Sequence, residues 1–396
     1  MLGRLATCFG TRTPAAAAAA VPAHYVPPNV LQGRYDINHL LGKGQQSTVW
    51  HAHDRERQVE SKDTFLNTEN LCSNCDVAIK ILTSEMTAIQ GDEAFELEIA
   101  QRISRLPDTL PGRRHLLTTS DSFAVQNPDG GRYQCLVTEL LGVSLLHDSL
   151  CGPPEARRQL PLPLVKTITF QMLQALQTLH DECQVVYTDI KHDNILRRLH
   201  VSGTTNGDSD DFTLADYGSG MPLSELSRFP SRQLQPPALR CPEVIVGCAW
   251  DTKADIWNLG CMVFELATAR RLFRPSGTAQ YTAEQYHLAR IYATFVHEDT
   301  EVERLRDSLF SKGRHFDVFF RAHGGLIVSI GREHNESLNS ILKVYGIDSA
   351  PLESLLTDML RVHPSDRPSM KELLSHPFFA TNGSDGNEGV GRNGSR

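Results

Sequence analysis

The sequence predicts an α+β fold of two lobes, a small sheet-rich one followed by a larger helical one. Two patterns carry this prediction. Between about Tyr35 and Leu141 the apolar residues fall in short β-type runs, Ser47-Thr-Val-Trp50, Val77-Ala-Ile-Lys-Ile-Leu82 and Cys135-Leu-Val-Thr138, interrupted by one helical pattern around Asp92 to Ile103. From Leu164 onward the period changes: Ile168, Met172, Leu176 and Leu179 recur at helical spacing, as do Ile256, Leu259, Val263 and Leu266. The size of the chain agrees with this outline. Its 396 residues, 40% of them hydrophobic, hold ample material for a folded core and exclude disorder as the overall state. At roughly 100–200 residues per domain they make about two folding units, or one domain of two lobes.

Taken in order, residues 1–30 form a leader, 31–141 the sheet-rich lobe, 142–380 the helical lobe and 381–396 a tail. The leader carries Arg4 and Arg12, an alanine run from Ala15 to Ala20, and no acid before Asp36. It reads as a disordered Ala/Pro-rich segment, with a mitochondrial transit peptide as the other reading. The tail is Gly, Asn, Ser and Asp with almost nothing apolar, and reads as frayed chain. A net charge of -8 provides no general basic surface for nucleic acid or anionic membrane, and no stretch approaches the roughly 18 apolar residues that a membrane span needs. Nine cysteines, odd in number and scattered, form no small-domain disulfide framework and suit a reducing compartment. The pair Cys72-Ser-Asn-Cys75 has metal-binding spacing but no second pair nearby, so it reads as part of a solvated loop.

The first chemical signal is Leu41-Gly-Lys-Gly-Gln-Gln-Ser-Thr-Val-Trp50, where Gly42 and Gly44 stand in a turn leading into a strand. Glycines there let backbone N–H groups approach phosphate oxygens without a Cβ in the way. Alone, such a pair marks an ordinary hairpin. Next, Val77-Ala-Ile-Lys80 sets a lysine in an apolar strand. Either Lys80 reaches water at an edge, or it needs an anionic partner, because a lone buried ammonium is costly. The helical segment that follows offers Glu93, Glu96 and Glu98. Glu98 is the expected partner, since Ile99 and Ile103 beside it would hold the helix against the core.

The strongest signal is Val186-Tyr-Thr-Asp-Ile-Lys-His-Asp-Asn-Ile-Leu196, a polar segment framed by apolar residues. Asp189 can accept a hydroxyl proton, Lys191 can neutralise a phosphoryl group and Asn194 can offer an oxygen to Mg²⁺. Leu214-Ala-Asp-Tyr-Gly218 then adds Asp216, a second hard-cation ligand on a tight turn. Any one of these segments is more often a plain polar loop. All four in this order are not expected by chance.

Together these motifs resemble the eukaryotic protein kinases, over about Tyr35 to Phe379: the Gly-rich loop, the Val-Ala-Ile-Lys strand, the catalytic loop and the metal-binding turn. Cys241-Pro-Glu243 stands where the family has Ala-Pro-Glu, Asp255 to Gly260 looks like the buried helix that anchors the catalytic loop, and Arg367 matches the partner of Glu243. Lys191, two residues after Asp189, matches the Ser/Thr class. Within the superfamily the chain is most similar to the SR-protein kinases and their divergent fungal relatives, through Gly44 to Trp50, Tyr187 to Lys191, Pro237 to Gly247, Asp255 to Leu266 and His315 to Gly324.

The resemblance implies a bilobal α+β kinase fold, with a small antiparallel-sheet lobe bearing one main helix and a larger helical lobe. It implies transfer of the ATP γ-phosphoryl group to Ser or Thr of protein substrates, of the Ser/Arg-rich kind. Asp189, Lys191, Lys80 and Glu98 would be catalytic, and Asn194 and Asp216 would hold Mg²⁺. Gly42, Lys43, Gly44, Ser47, Val49, Ala78, Lys80, the gatekeeper Thr138, Glu139 and Leu141 would contact ATP. A monomer in the cytoplasm or nucleus is expected, with no direct nucleic-acid or membrane partner, and the leader leaves a mitochondrial address open. The competing reading is a pseudokinase that binds nucleotide as a scaffold.

Several positions depart from the family pattern. Ser47 replaces the third loop glycine. Tyr187 and Thr188 replace the His-Arg pair before the catalytic Asp, so the arginine that commonly grips a phosphorylated activation loop is absent. The segment from Asp216 to Glu243 has no threonine, although Ser219, Ser224, Ser227 and Ser231 remain, and activity without activation-loop phosphorylation is the expectation. Tyr217 replaces the Phe of the metal-binding turn, adding a hydroxyl that needs a partner if buried. The long spacer that often splits the SR-protein kinase core is missing.

Overall fold

The computed structural model describes residues 24–60, 75–128, 130–145, 158–199, 210–229, 232, 234–322, 324–330 and 337–380. Most of the leader, the tail, Cys72 and Ser231 lie outside the described residues. In chain order the first elements are β1 (Val30–Leu31), β2 (Tyr35–Lys43), β3 (Ser47–Asp54), α1 (Arg55–Glu60), β4 (Asp76–Leu82), α2 (Ser84–Ala88), α3 (Glu96–Ser104), β5 (Thr119–Gln126) and β6 (Arg132–Glu139). Then follow α4 (Leu162–Asp181), β7 (Val185–Val186), β8 (Ile195–Arg197), β9 (Phe212–Leu214), β10 (Met221–Pro222), α5 (Pro242–Val246) and α6 (Lys253–Thr268). The chain continues through α7 (Ala283–Phe295), α8 (Asp299–Ser308), α9 (Phe316–Phe319), α10 (Leu338–Val344), α11 (Ala350–Met359) and α12 (Met370–Leu374).

Two compact units result. One comprises the residues up to Ile89 together with Asp121–Thr138, and the other comprises Gln90–Ser120 and everything from Glu139 on. Helix α3 therefore belongs with the helical unit, whereas the linear split at Leu141 expected from the sequence grouped it with the sheet. The reason is its apolar stripe: Ile99 and Ile103 are buried in the helical unit's core.

The sheet unit is a six-stranded sheet in the order β1-β2-β3-β4-β6-β5, antiparallel from β1 through β4. Alternation sets its faces, because successive residues of a strand point to opposite sides. Ala52, Val77, Ile79 and Ile81 pack on one face with Tyr35, Tyr133 and Val137. Since Val49 pairs with Lys80 and Trp50 with Ile79, the opposite face carries Val49, Ala78 and Lys80.

The helical unit is built around α4 and α6. The Val165, Ile168, Met172, Leu176 and Leu179 stripe of α4 is buried, and every residue of α6 from Ala254 to Thr268 is buried. A helix hidden all round belongs in a core. It brings a tryptophan, Trp257, whose ring stacks on Phe273 and lies under the Arg367 guanidinium. Arg367 forms the pair expected with Glu243 through two hydrogen bonds of 2.7 and 2.8 Å, with side chains 0% and 1% exposed. It also donates to the carbonyls of Arg361, Val362 and Lys253, which uses up the fork. The described cysteines are buried and unbridged, and burial pushes the Cys135 thiol up to about 12.

Removing one partner of such a buried pair leaves an uncompensated charge, at a cost of about 3–5 kcal/mol. Glu243→Gln should therefore shift the urea midpoint well to lower concentration. A midpoint within error of the parent protein would show that the pair is dispensable.

Candidate active site

The polar loop after β7 is held from below by α6. The carboxylate of Asp255, 0% exposed, accepts the backbone N–H groups of Tyr187 and Thr188 at 2.8 Å each and lies 2.8 Å from His180 Nε2. One turn on, the Asn258 side chain bonds both the N–H and the carbonyl of Ile190, at 3.1 Å each. These contacts fix a backbone that would not otherwise persist, since Thr188 sits at φ +67°, a region disfavoured for a β-branched residue.

On this platform Asp189, Lys191 and Asn194 meet, three of the residues the sequence singled out. Lys191 Nζ lies 2.7 Å from Asp189 Oδ2, and Asn194 Nδ2 donates to the same oxygen at 3.1 Å and to the Asp189 carbonyl at 2.9 Å. Among the described residues these contacts use only Oδ2, which leaves Oδ1 as an acceptor for an incoming hydroxyl. The short β8–β9 ladder then closes the gap between Asn194 and Asp216: Ile195 pairs with Leu214, and Ala215 N–H donates to the Asn194 carbonyl at 2.8 Å. Two oxygen-bearing residues from different parts of the sequence are thus carried on adjoining backbone segments. Such a donor set suits Mg²⁺, which takes one or two carboxylate-type ligands and completes its shell from phosphates and water.

The metal-binding turn is held by hydroxyls. Tyr187 donates to the Ala215 carbonyl and Thr188 Oγ1 to the Ser219 carbonyl at 2.8 Å. Tyr217 Oη, buried as its neighbours require, lies 3.0 Å from the Leu117 carbonyl and 3.1 Å from that of Leu214. The two tyrosine rings meet edge to face at 6.2 Å, and burial raises both phenols well above their ordinary range, so they stay protonated donors. Asp216 itself is at φ +59°, with Oδ1 accepting the Gly218 N–H at 3.2 Å. Further along, β10 pairs antiparallel with β7, Arg228 bonds Asp92 and Glu225 at 2.6 Å each, and Arg232 donates to the Glu93 carbonyl. These contacts tie the described parts of the segment to β7 and to the residues before α3.

Helix α3 departs from the expectation. Glu98 does not face inward: its side chain is 41% exposed and bonds Arg102 at 2.5 Å, which in turn donates to the Cys183 carbonyl. The buried carboxylate is Glu96, 3% exposed, whose Oε2 would stand 3.4 Å from a Cβ added at Gly218. Helix geometry explains the difference. Glu96, Ile99, Ala100 and Ile103 follow the i, i+3, i+4, i+7 stripe, whereas Glu98 is a third of a turn off it. That spacing was present in the sequence, and adjacency to Ile99 was the wrong guide.

The remaining predicted contacts lie in the sheet unit, apart from Glu139 and Leu141. Gly42 and Lys43 end β2, and Gly44 N–H closes a tight turn on the Ser47 carbonyl at 2.9 Å. Val49, Ala78 and Lys80 share one sheet face, and Thr138 is buried with its hydroxyl 3.4 Å from the Ala78 carbonyl. Glu139 is bonded to Arg198 within the helical unit.

A protein kinase domain matches residues 35–379. The chain belongs to the protein kinase family. Among known proteins this kinase is similar to the serine/threonine-protein kinase SRPK of Physarum polycephalum, 28% identical with 89% of this chain and 87% of the relative covered. It is similar also to protein kinase dsk1 of Schizosaccharomyces pombe, at 24% identity over 90% of this chain and 82% of the relative. Serine/threonine-protein kinase AFC2 of Arabidopsis thaliana matches at 25% over 88% and 78%. The kinase is a protein serine/threonine kinase, and its fold is the bilobal α+β fold expected from the sequence.

Glu96→Gln should lower phosphoryl transfer by about tenfold or more, the scale of one charge-assisted hydrogen bond. Glu98→Gln should stay near the parent rate. Equal losses in the two variants would return Glu98 to the site.

Proposed function

We propose that this kinase uses ATP and Mg²⁺ to phosphorylate Ser or Thr of Ser/Arg-rich proteins, and that it does so without activation-loop phosphorylation. The observation that carries the chemical part is the bonded cluster of Asp189, Lys191 and Asn194 beside Asp216. In this reading Asp189 Oδ1 orients the attacking hydroxyl and takes its proton, while Lys191 offsets charge on the phosphoryl group in transfer. Asn194 and Asp216 hold Mg²⁺, which when bound neutralises phosphate charge. Lys80 binds phosphate oxygens of ATP, Glu96 is the buried carboxylate of α3 where Glu98 was expected, and the Gly42–Gly44 turn offers backbone N–H groups to the phosphates. Little covalent work is needed in such a transfer, so rate comes from position and charge.

The substrate class is supported by the likeness to a protein named SRPK and by a net charge of -8, which favours basic partners. Independence from phosphorylation is supported by the neutral clamp from Thr188 to the Ser219 carbonyl, at the position where an arginine would need a phosphate.

An Arg/Ser-repeat peptide beside a generic basic protein, each with labelled ATP and Mg²⁺, tests the assignment. The peptide should be the better substrate, and Asp189→Ala should lose about 10²–10⁴ in rate while still binding nucleotide. Binding without transfer in the parent protein would make it a scaffold, and undiminished turnover in Asp189→Ala would remove that residue from the mechanism. Phosphatase treatment of the purified kinase should leave its rate unchanged, whereas loss of activity would mean that a phosphate completes the segment after all.

A further inference from the structure

Two properties of the metal-binding turn pull against each other. Asp216-Tyr-Gly-Ser-Gly220 carries two glycines just after the aspartate, and glycine leaves a chain freer than any other residue does. Asp216 nevertheless stands at φ +59°, a left-handed conformation that costs a residue with a Cβ about as much as one or two ordinary hydrogen bonds return. The local bond from the Gly218 N–H to its Oδ1 is long, at 3.2 Å, and offsets little of that cost. A soft segment in a strained conformation must be held from outside.

Two phenols do so, one on each side of Asp216 and both within the helical unit. Before it, Ala215 is bonded at both backbone groups: its N–H donates to the Asn194 carbonyl at 2.8 Å, and its carbonyl accepts the Tyr187 hydroxyl. After it, Tyr217 Oη reaches the carbonyls of Leu117 and Leu214, at 3.0 and 3.1 Å. These carbonyls belong to chains that are already joined, since the Leu117 N–H donates to the Leu214 carbonyl at 3.0 Å and Leu116 bridges Leu214. The phenol therefore fastens the turn to a junction that exists without it. Behind the ring, the Gly220 N–H closes on the Tyr217 carbonyl at 3.0 Å, where a Cβ on Gly220 would come within 2.7 Å of Ile99 Cδ1. A phenylalanine at either position would keep the edge-to-face contact of the rings and lose the bond, so the hydroxyls add something that packing does not.

We propose that the hydroxyls of Tyr187 and Tyr217 are positioning groups for Asp216, and that by holding the strained backbone on either side of it they set the affinity of the site for Mg²⁺. The inference rests on the reading of Asp216 as a metal ligand. Both hydroxyls end on backbone carbonyls, so they act through the conformation of the turn. With both bonds made, the carboxylate stands in its binding conformation before the metal arrives, and no ordering of the glycine-rich segment opposes binding. Without one of them the turn spreads over other conformations, and the apparent metal affinity falls with the fraction that remains competent.

Calorimetric titration of the full-length kinase with ADP, without Mg²⁺ and over a series of Mg²⁺ concentrations, reads the metal requirement with no phosphoryl transfer involved. Tyr187→Phe and Tyr217→Phe should each raise the Mg²⁺ concentration for half-maximal ADP affinity by about five- to tenfold, the factor that one ordinary hydrogen bond contributes to an equilibrium. Their metal-free ADP affinity should equal that of the parent, and Asp216→Asn should raise the requirement further. An unchanged requirement in either phenylalanine variant, whether or not its urea midpoint falls, would make that hydroxyl structural only and overturn the proposal. If Asp216→Asn also left the requirement unchanged, or if ADP binding to the parent ignored Mg²⁺, Asp216 would cease to be the metal ligand and both readings would fall. Hydrogen exchange decides the matter on the parent protein alone. The Gly218 and Gly220 amides should exchange as slowly without Mg²⁺ and ADP as with them, and strong added protection on binding would show that the metal, and not the phenols, orders the turn.

Discussion

A single buried carboxylate organises the catalytic half of this kinase. Asp255 lies on a helix with no exposed face, and its charge is tolerable only because the N–H groups of Tyr187 and Thr188 and the ring of His180 converge on it. That requirement runs in both directions. The carboxylate needs donors, and the contacts that supply them tie α4, α6 and the loop after β7 together. The strained φ of Thr188 is the local cost of that arrangement, and the direction in which Asp189 leaves the loop is its result.

From this anchor, order passes outward by short steps. Asn194 is tied to Asp189, the β8–β9 ladder ties Asn194 to Ala215, and hydroxyl groups of Tyr187, Thr188 and Tyr217 tie the residues around Asp216. Neutral hydroxyl bonds to backbone carbonyls are insensitive to salt and need no covalent modification to form. Where the family commonly has an arginine, this chain has Thr188, whose hydroxyl donates to the Ser219 carbonyl. The contact that stands there is a neutral one, of about the strength of an ordinary hydrogen bond.

What the sequence determined by itself was the family and the fold class. The kinase family and the Ser/Thr class could be read from the short segments around Lys80, Asp189 and Asp216, and the α+β class from the change from β-type to helical periodicity. The pairing of Glu243 with Arg367 was legible only through resemblance, being 124 positions apart. Tertiary structure alone decided which carboxylate of α3 is buried, which unit that helix joins, and what the substituted tyrosines and threonine hold. These depend on which face of an element meets the core and on which distant carbonyl lies opposite a hydroxyl. Periodicity constrained the first, and Glu96 was there to be read in it. The second is set by packing, because a hydroxyl within hydrogen-bond reach of a carbonyl 31 or 100 residues away leaves no pattern along the chain.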